Sequence, residues 1–193
     1  MLSYDESLKI LKETKALLDG HFILSSGLHS NQYIQCAKLL SHPEKAQLIC
    51  SSLCEKIRKT FNKINVVLSP ALGGIVVGYE VARQINVKNV FAERVDNKLI
   101  LRRGFNIEPG SNVLIVEDVI TTGKSAMECE KIILESKANL VGYACIIDRS
   151  QGNIPIKNKI VSQIKLHIET FSKDKLPEEL KKIDPYKPGS RNL

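Results

Sequence analysis

Apolar runs alternate with polar loops along the middle of this 193-residue chain. Short apolar runs bounded by turns are typical of strands buried on both faces, and helical patterns separate them here. This alternation indicates an α/β fold, in which helices cover both faces of a parallel sheet. The predicted strands lie at 66–68, 87–92, 112–116, 139–147 and 160–168, and the predicted helices at 75–85 and 125–136.

The N-terminal part of the chain has a different pattern. Ser3 and Glu6 form a capping-box signature before an amphipathic run, and Gly20 marks its expected end. Two short extended runs then flank a polar turn, which is typical of a hairpin. The elements predicted here are a helix over 4–19, a hairpin of runs at 22–24 and 32–37, and a helix that begins at Pro43.

Non-helical segments follow four of the predicted strands. The carboxyl ends of parallel strands lie at one edge of a sheet, where α/β proteins bind their ligands. We therefore expect these segments to meet. They are 69–74, an irregular basic stretch at 93–103, 117–125, and 148–149.

The most informative of these segments follows the apolar run that begins at Val113. Glu117 and Asp118 come first, and a loop of hydroxyl residues and glycine then leads into a predicted helix. Backbone N–H groups and hydroxyls at a helix N-terminus bind phosphate, whereas two carboxylates repel it. The ligand should therefore offer an anionic group to the loop, and hydroxyls or a divalent cation to the acids.

A Walker A loop is the rival interpretation, because Gly123-Lys124-Ser125 is how that motif ends. The motif would require glycine at position 118, where this chain has Asp118. A carboxylate that close to phosphates would cost several kcal/mol per unit-charge contact at an effective dielectric of ~20. A P-loop ATPase is therefore a distant alternative.

Composition and charge exclude other classes of protein. Hydrophobic residues make up 43% and charged residues 25%, which is usual for a folded domain, and the length suits a single domain over 1–193. Because no apolar stretch approaches the ~20 residues of a membrane helix and no signal segment is evident, we expect a cytoplasmic protein without a membrane partner.

The cysteines, histidines and net charge each suggest a simple interpretation. Five cysteines without a C-x-x-C pair should be free and mostly buried thiols, and the four histidines should be surface or loop residues rather than zinc ligands. The net charge of +7 would suit nucleic-acid binding, but residues 156–193 hold nine basic and five acidic residues, more than half of the excess. A solvated tail explains that distribution better.

Residues 113–125 resemble the signature of type I phosphoribosyltransferases, whose acid pair and loop hold the ribose and 5-phosphate of phosphoribosyl diphosphate (PRPP). Further segments are similar to orotate phosphoribosyltransferases. These are 22–33 over the base, 69–74 as the pyrophosphate loop, 91–94 with 101–105 as the mobile basic loop, and 148–149 at the orotate carboxylate. The resemblance implies a type I central parallel sheet flanked by helices. It also implies a small hood from about 1–40 with part of the C-terminal segment, on a core of about 41–150.

The resemblance further implies transfer of the phosphoribosyl group from PRPP to orotate in pyrimidine synthesis. Asp118 and Lys98 are the predicted catalytic residues, and Thr121 and Arg149 the predicted orotate ligands, with Arg102 or Arg103 also near the diphosphate. The predicted PRPP ligands are Glu117, Asp118, Val119, Ile120, Thr121, Thr122, Gly123, Lys124, Ser125, Arg94 and Lys98. Magnesium would arrive on the diphosphate, without direct protein ligands. The partners implied are the two substrates and a second subunit that shares the basic loop in a homodimer; no nucleic acid is expected.

The chain departs from the family pattern at several positions. Ser25, Gly73 and Val95 stand where lysine is common, the basic loop lacks a histidine, and Lys124 stands where glycine is usual. Lys124 could supply a substitute cation beside the phosphate. Two alternatives stay open: a phosphoribosyltransferase for a purine or another base, and a regulator that senses PRPP and binds RNA.

Overall fold

The structure, a computed structural model, describes residues 1–24 and 26–188, so the predicted departure at Ser25 lies outside the described residues. The strands are β1 (Leu17–Ile23), β2 (His29–Ile34), β3 (Val66–Pro70), β4 (Lys88–Val95), β5 (Lys98–Leu101), β6 (Asn112–Ile120), β7 (Asn139–Asp148), β8 (Ile160–Lys165) and β9 (Thr170–Phe171). The helices are α1 (Tyr4–Glu13), α2 (Cys36–Leu40), α3 (Pro43–Thr60), α4 (Gly73–Ile85), α5 (Lys124–Glu135) and α6 (Glu178–Lys181), with a 3-10 turn at Lys173–Lys175.

A six-stranded sheet in the order β5-β4-β3-β6-β7-β8 forms the centre of the fold. Its neighbouring strands are parallel except for β5, which is antiparallel to β4. Side chains of successive residues alternate between the faces: Val67 packs with α3 and α4, whereas Val66 and Leu68 pack with α5. The predicted α/β class with a central parallel sheet flanked by helices is confirmed.

The predicted helix over 4–19 is wrong in its second half. Its capping box at Ser3 and Glu6 is present, but α1 ends at Glu13, and Leu17–Ile23 is a strand. Lys15 adopts a left-handed backbone at φ 56°, and the N–H of Ala16 bonds back to the carbonyl of Leu11, which closes the helix end. The apolar residues beyond this point belong to a strand, not to a helical face.

Two other boundaries differ from the prediction near the ligand edge. The stretch 93–103 is not irregular, because β4 continues to Val95 and pairs with β5 through a tight turn at Asp96 and Asn97, both at positive φ. The predicted strand 112–116 continues to Ile120, so the acid pair lies within β6 rather than in a loop. Farther along the chain, the strand expected at 160–168 ends at Lys165.

A three-stranded sheet, β1-β2-β9, is formed by the predicted hairpin and a strand close to the C-terminus. The segment near Tyr186 adds a bridge to β1 at Phe22. Two histidines contradict the expectation of surface or loop positions: His21 and His29 are 5% and 6% exposed, and their ring nitrogens lie 2.6 Å apart. The Nδ1 of His21 donates to the carbonyl of Ile183 at 2.8 Å, so the pair ties β1 and β2 to the C-terminal segment.

The single domain with hood and core stays a prediction, although the large sheet includes β8 and therefore extends past the predicted limit of 150. All five cysteines are free and buried, as predicted. Burial raises the pKa of Cys50 to about 12 and that of Cys54 to about 11, so these thiols are inert core residues. Among the described residues, we find no helix with the length and apolar character needed to cross a membrane.

Candidate active site

The acid pair lies near the carboxyl end of β6. Glu117 pairs with Cys145 of β7, and both acids are half-buried. Burial, and then the neighbouring Asp118, raises the pKa of Glu117 to about 8. Burial also raises the pKa of Asp118, against the hydrogen bond that its Oδ1 accepts from the N–H of Val119 at 2.9 Å. Neither carboxylate forms an ion pair with another described residue, which leaves both available to a ligand.

The start of α4, directly after the loop that follows β3, touches this pair. A Cβ added at Gly73 would collide with the carboxylate of Asp118, and would lie 2.7 Å from its Cγ. At Gly74 the fit is tight but less severe, because a Cβ there would lie 3.0 Å from Cδ of Pro70 and 3.3 Å from the carbonyl of Val116. A lysine at position 73 would therefore displace Asp118. This contact gives a physical reason for Gly73 where the family commonly has lysine.

The predicted phosphate cradle is the short loop from Thr121 to Gly123, which leads into α5. Gly123 caps the helix at φ 73°, a backbone conformation that favours glycine, and a Cβ there would press on Cδ1 of Ile156 at 3.0 Å. The first turn of α5 contains no acidic residue. Thr121, Thr122 and Lys124 are exposed, so their polar groups and the helix N-terminus face the space where an anion can bind.

Two of the predicted PRPP ligands have other roles in the fold. Ile120 is 1% exposed and Val119 packs against the opposite core, so neither side chain points to the edge. The carbonyl of Ile120 accepts the N–H of Arg149 at 2.8 Å. Val119 and Ile120 therefore position the cradle, and only their backbone could contact a ligand.

The basic hairpin formed by β4 and β5 is anchored on α5. Leu99 is buried in the same core as Cys129 and Ile133 of that helix. The Nη1 of Arg94 donates to the carbonyl of Asn97 at 2.8 Å and lies 2.8 Å from Oε2 of Glu128. The helix that begins at the predicted phosphate cradle thus also contacts the basic hairpin, through Leu99 and Arg94.

The remaining cations of the hairpin differ in their partners. Arg103 forms two hydrogen bonds with Glu93, at 2.8 and 3.1 Å, and stacks over Phe91, while Arg102 lies 4.0 Å from Glu93. Lys98 is exposed and forms no ion pair or side-chain hydrogen bond with a described residue. Of the four predicted cations, Lys98 is therefore the one that a diphosphate can attract without breaking an existing ion pair.

Arg149 follows the end of β7, beside the cradle. Its guanidinium is half-buried, its Nε has no hydrogen-bond partner among the described residues, and burial lowers its pKa. The backbone bond to Ile120 places Arg149 next to Thr121, the other predicted orotate ligand. A half-buried, unpaired guanidinium is suited to a planar anion such as a carboxylate.

Sequence reasoning missed three residues that hold the site together: Glu128, Ser150 and Ile156. Glu128 stands four residues after Lys124, on the same face of α5, which was a signal of a role near the cradle. Its contact with Arg94 depends on how the hairpin packs on α5, and no local pattern contains that information.

The model of the phosphoribosyl transferase domain matches residues 37–175. The orotate phosphoribosyltransferase of Caldicellulosiruptor bescii is 45% identical over 190 residues, which cover 98% of this chain and 99% of that protein. Two solved structures share the fold. The orotate phosphoribosyltransferase of Aeropyrum pernix has a TM-score of 0.69 at 24% identity, with 82% of this chain and 92% of that chain covered. The adenine phosphoribosyltransferase of Thermoanaerobacter pseudethanolicus has a TM-score of 0.61 at 15% identity, with 70% and 88% covered.

The fold is thus common to enzymes named for different bases, whereas the full-length sequence relative is named for orotate. An identity of 45% over nearly the whole of both chains identifies the branch as well as the fold. The chain belongs to the orotate phosphoribosyltransferases, within the family of phosphoribosyl transferase domains.

Proposed function

We infer that this enzyme transfers the phosphoribosyl group of PRPP to orotate, giving orotidine 5'-monophosphate and diphosphate for pyrimidine synthesis. The observation that carries this proposal is an unpaired Arg149 beside the predicted cradle, at the same edge of the sheet as the acid pair. The guanidinium offers a site for the carboxylate of the base, while Glu117 and Asp118 offer acceptors for ribose hydroxyls. The full-length relative named for orotate supports the same acceptor.

The acid pair would act on the sugar. As the bond from C1 of the ribose to the diphosphate breaks and the orotate nitrogen attacks, positive charge develops on the ribose ring. Ionised carboxylates at Glu117 and Asp118 would stabilise that charge more than the neutral ground state, which lowers the barrier. Because burial raises the pKa of Glu117 to about 8 in the free protein, binding of a cationic or hydroxyl-bearing ligand should release a proton from it.

The cradle and the basic hairpin would hold the two anionic ends of PRPP. Thr121, Thr122 and Ser125, with the N-terminus of α5 and Lys124, are the proposed ligands of the 5-phosphate. Lys98 is the proposed catalytic cation on the leaving diphosphate. Arg94 is paired with Glu128, and Arg103 with Glu93, so each arginine could bind the diphosphate only after leaving its acid. We propose that these two ion pairs open during turnover.

Magnesium is the proposed cofactor. The described residues contain no cluster of three or more His, Cys, Asp or Glu side chains that could hold a metal ion. The two carboxylates at this edge fit a cation that enters with its own phosphate ligands better than a cage made by the protein. Bound to the diphosphate, magnesium would supply positive charge to the leaving group.

We also propose a homodimer in the cytoplasm. Leu72, Val76 and Tyr79 form an apolar stripe on α4 and are 82%, 50% and 62% exposed, next to the half-buried Phe91 and Phe105. A second subunit on this stripe would bring its basic hairpin close to this site. Sedimentation of the Tyr79→Glu variant tests the interface: a monomer is expected, and an unchanged dimer would exclude this surface.

The proposed cytoplasmic location rests on the cysteines. Five free thiols agree with a reducing compartment.

A panel of acceptor bases tests the function and its alternatives. The protein is mixed with PRPP, magnesium and orotate, uracil, adenine or hypoxanthine in turn, and loss of base absorbance is followed beside an active control enzyme. Turnover with orotate alone is expected. Turnover with a purine alone would establish the other phosphoribosyltransferase, while absence of turnover together with salt-dependent RNA binding would favour the regulator.

A further inference from the structure

An acidic residue directly precedes the arginine that we assign to orotate. Asp148 is 7% exposed, and Arg149 is half-buried with its Nε unpaired. In a poorly solvated site, opposite charges attract strongly, so an acid free to turn would be drawn to this cation and would compete with a ligand. The two side chains nevertheless form no ion pair in the structure.

Ser150 is the residue that holds this carboxylate. Its backbone N–H and its hydroxyl both donate to Oδ1 of Asp148, at 2.9 and 2.6 Å. The hydroxyl oxygen also accepts the N–H of Gly152 at 3.3 Å, and the carbonyl of Ser150 accepts the N–H of Asn153 at 2.9 Å. Ser150 is itself 7% exposed, so these bonds lie in a closed turn.

The position of Arg149 is fixed independently of this turn. Its backbone N–H bonds to the carbonyl of Ile120 on β6, and the carbonyl of Asp148 accepts the N–H of Leu166. These two bonds hold the peptide unit between Asp148 and Arg149, one from β6 and one from the segment that follows β8. The Ser150 hydroxyl is therefore not needed to place the arginine, and its hydrogen bond acts on the direction of the Asp148 carboxylate.

We propose that Ser150 is a positioning residue of the orotate site, which holds the Asp148 carboxylate away from Arg149 and so keeps the guanidinium available to the carboxylate of the base. This inference rests on the proposed function. It extends that function by explaining how a site with an acid next to its key cation still selects an anionic base.

The test is the orotate dependence of the Ser150→Ala enzyme. The variant loses the shorter of the two hydrogen bonds on Oδ1 of Asp148 and keeps the one from the backbone N–H. The carboxylate can then turn towards Arg149, and the KM for orotate rises about tenfold, the effect of one hydrogen bond to a charged group. The KM for PRPP and kcat stay within about twofold, since Ser150 touches neither the cradle nor the hairpin. An unchanged KM for orotate would overturn the proposal.

A second substitution distinguishes charge from shape. Asp148→Asn retains an acceptor for the N–H of Ser150 but removes the competing charge, so its KM for orotate is expected at or below the wild-type value. Added to Ser150→Ala, it should restore the KM for orotate to near that of Asp148→Asn. If the double variant is as impaired as Ser150→Ala, the hydroxyl merely supports the turn and the proposal is wrong.

The matched control is Ser7→Ala. Ser7 lies on α1 and, like Ser150, has a buried hydroxyl in a hydrogen bond, which it accepts from Nε2 of Gln163 at 2.8 Å. It should change both KM values little, and melting curves show whether each variant is folded. If Ser150→Ala does not fold, the KM for orotate of Asp148→Asn tests the proposal by itself. A value above that of the wild type would contradict the proposal. Failure of the proposed function appears earlier, as a wild-type enzyme that does not use orotate at all.

Discussion

Glu117→Gln should stabilise the ligand-free protein while it impairs catalysis. Burial and Asp118 raise the pKa of Glu117 from 4.5 to about 8. Between these values the folded state binds a proton that the unfolded chain has already lost. Stability is therefore fully present below pH 4.5 and falls as the pH rises towards 8. Glutamine has nearly the same shape and stays neutral, so the variant does not lose this stability.

The size of the effect follows from the width of the pH window. Each pH unit between 4.5 and 8 costs the wild type about 1.4 kcal/mol of unfolding free energy, with an upper limit of about 5 kcal/mol. Glu117 keeps some contact with solvent, and an effect of about 2 kcal/mol is the expected outcome. For a chain of this size, that corresponds to a melting temperature about 4–8 °C higher in the variant at pH 8.5.

The assay compares melting curves and urea unfolding of the two proteins from pH 5 to pH 9, without ligand. The difference should be small at pH 5 and should grow to its full value near pH 8. Glu135→Gln is the matched control, because Glu135 is an exposed residue of α5 with no ion pair in the structure, and its substitution should leave the curves parallel. A constant difference between wild type and Glu117→Gln across this range would refute the burial argument for the acid pair.

Three further substitutions test the proposed site. Asp118→Asn should lower kcat by about 10²-fold, the usual effect of a lost electrostatic contact to the transition state, while the melting temperature stays the same or rises. Lys98→Ala should lower kcat by about 10-fold or more with an unchanged KM for orotate, because Lys98 is the unpaired cation of the hairpin; normal turnover would remove it from the mechanism. Gly73→Ala should reduce kcat/KM because its Cβ displaces Asp118. Alanine is favoured over glycine in a helix by about 1 kcal/mol, which offsets the strain of this displacement. The expected result is a fall in activity without a fall in the melting temperature.

The sheet and its ligand edge could be predicted because they depend on local patterns. Each buried strand of the parallel sheet contains a short apolar run, and a loop follows each of β3, β6 and β7 at its carboxyl end. The meeting point of these loops followed from the geometry of parallel strands. The error at residues 14–19 has the same origin. Leu17 and Leu18 continue the helical spacing of α1. The segment is nevertheless a strand because it pairs with β2 in the tertiary structure.

The partners of the charged side chains could not be predicted in this way. Composition showed a basic loop at 93–103, and its cations could all have been free. Arg94 and Arg103 are instead paired with Glu128 and Glu93, because the packing of Leu99 on α5 brings the hairpin within reach of an acid 34 residues away in the sequence. The buried His21–His29 pair is a similar case, since two isolated histidines on one hairpin give no sign of facing each other.

These pairings give the free enzyme an uneven distribution of charge. Most hairpin cations are neutralised by nearby acids, whereas the acid pair on β6 and Arg149 have no ionic partners and lie partly buried. PRPP and orotate would reverse this arrangement, because the diphosphate competes for the cations and the carboxylate of the base takes Arg149. The substrates therefore bind most favourably to the charged groups that have no ionic partner in the free enzyme. Two residues maintain this state: Gly73 leaves room for the Asp118 carboxylate, and Ser150 holds the Asp148 carboxylate.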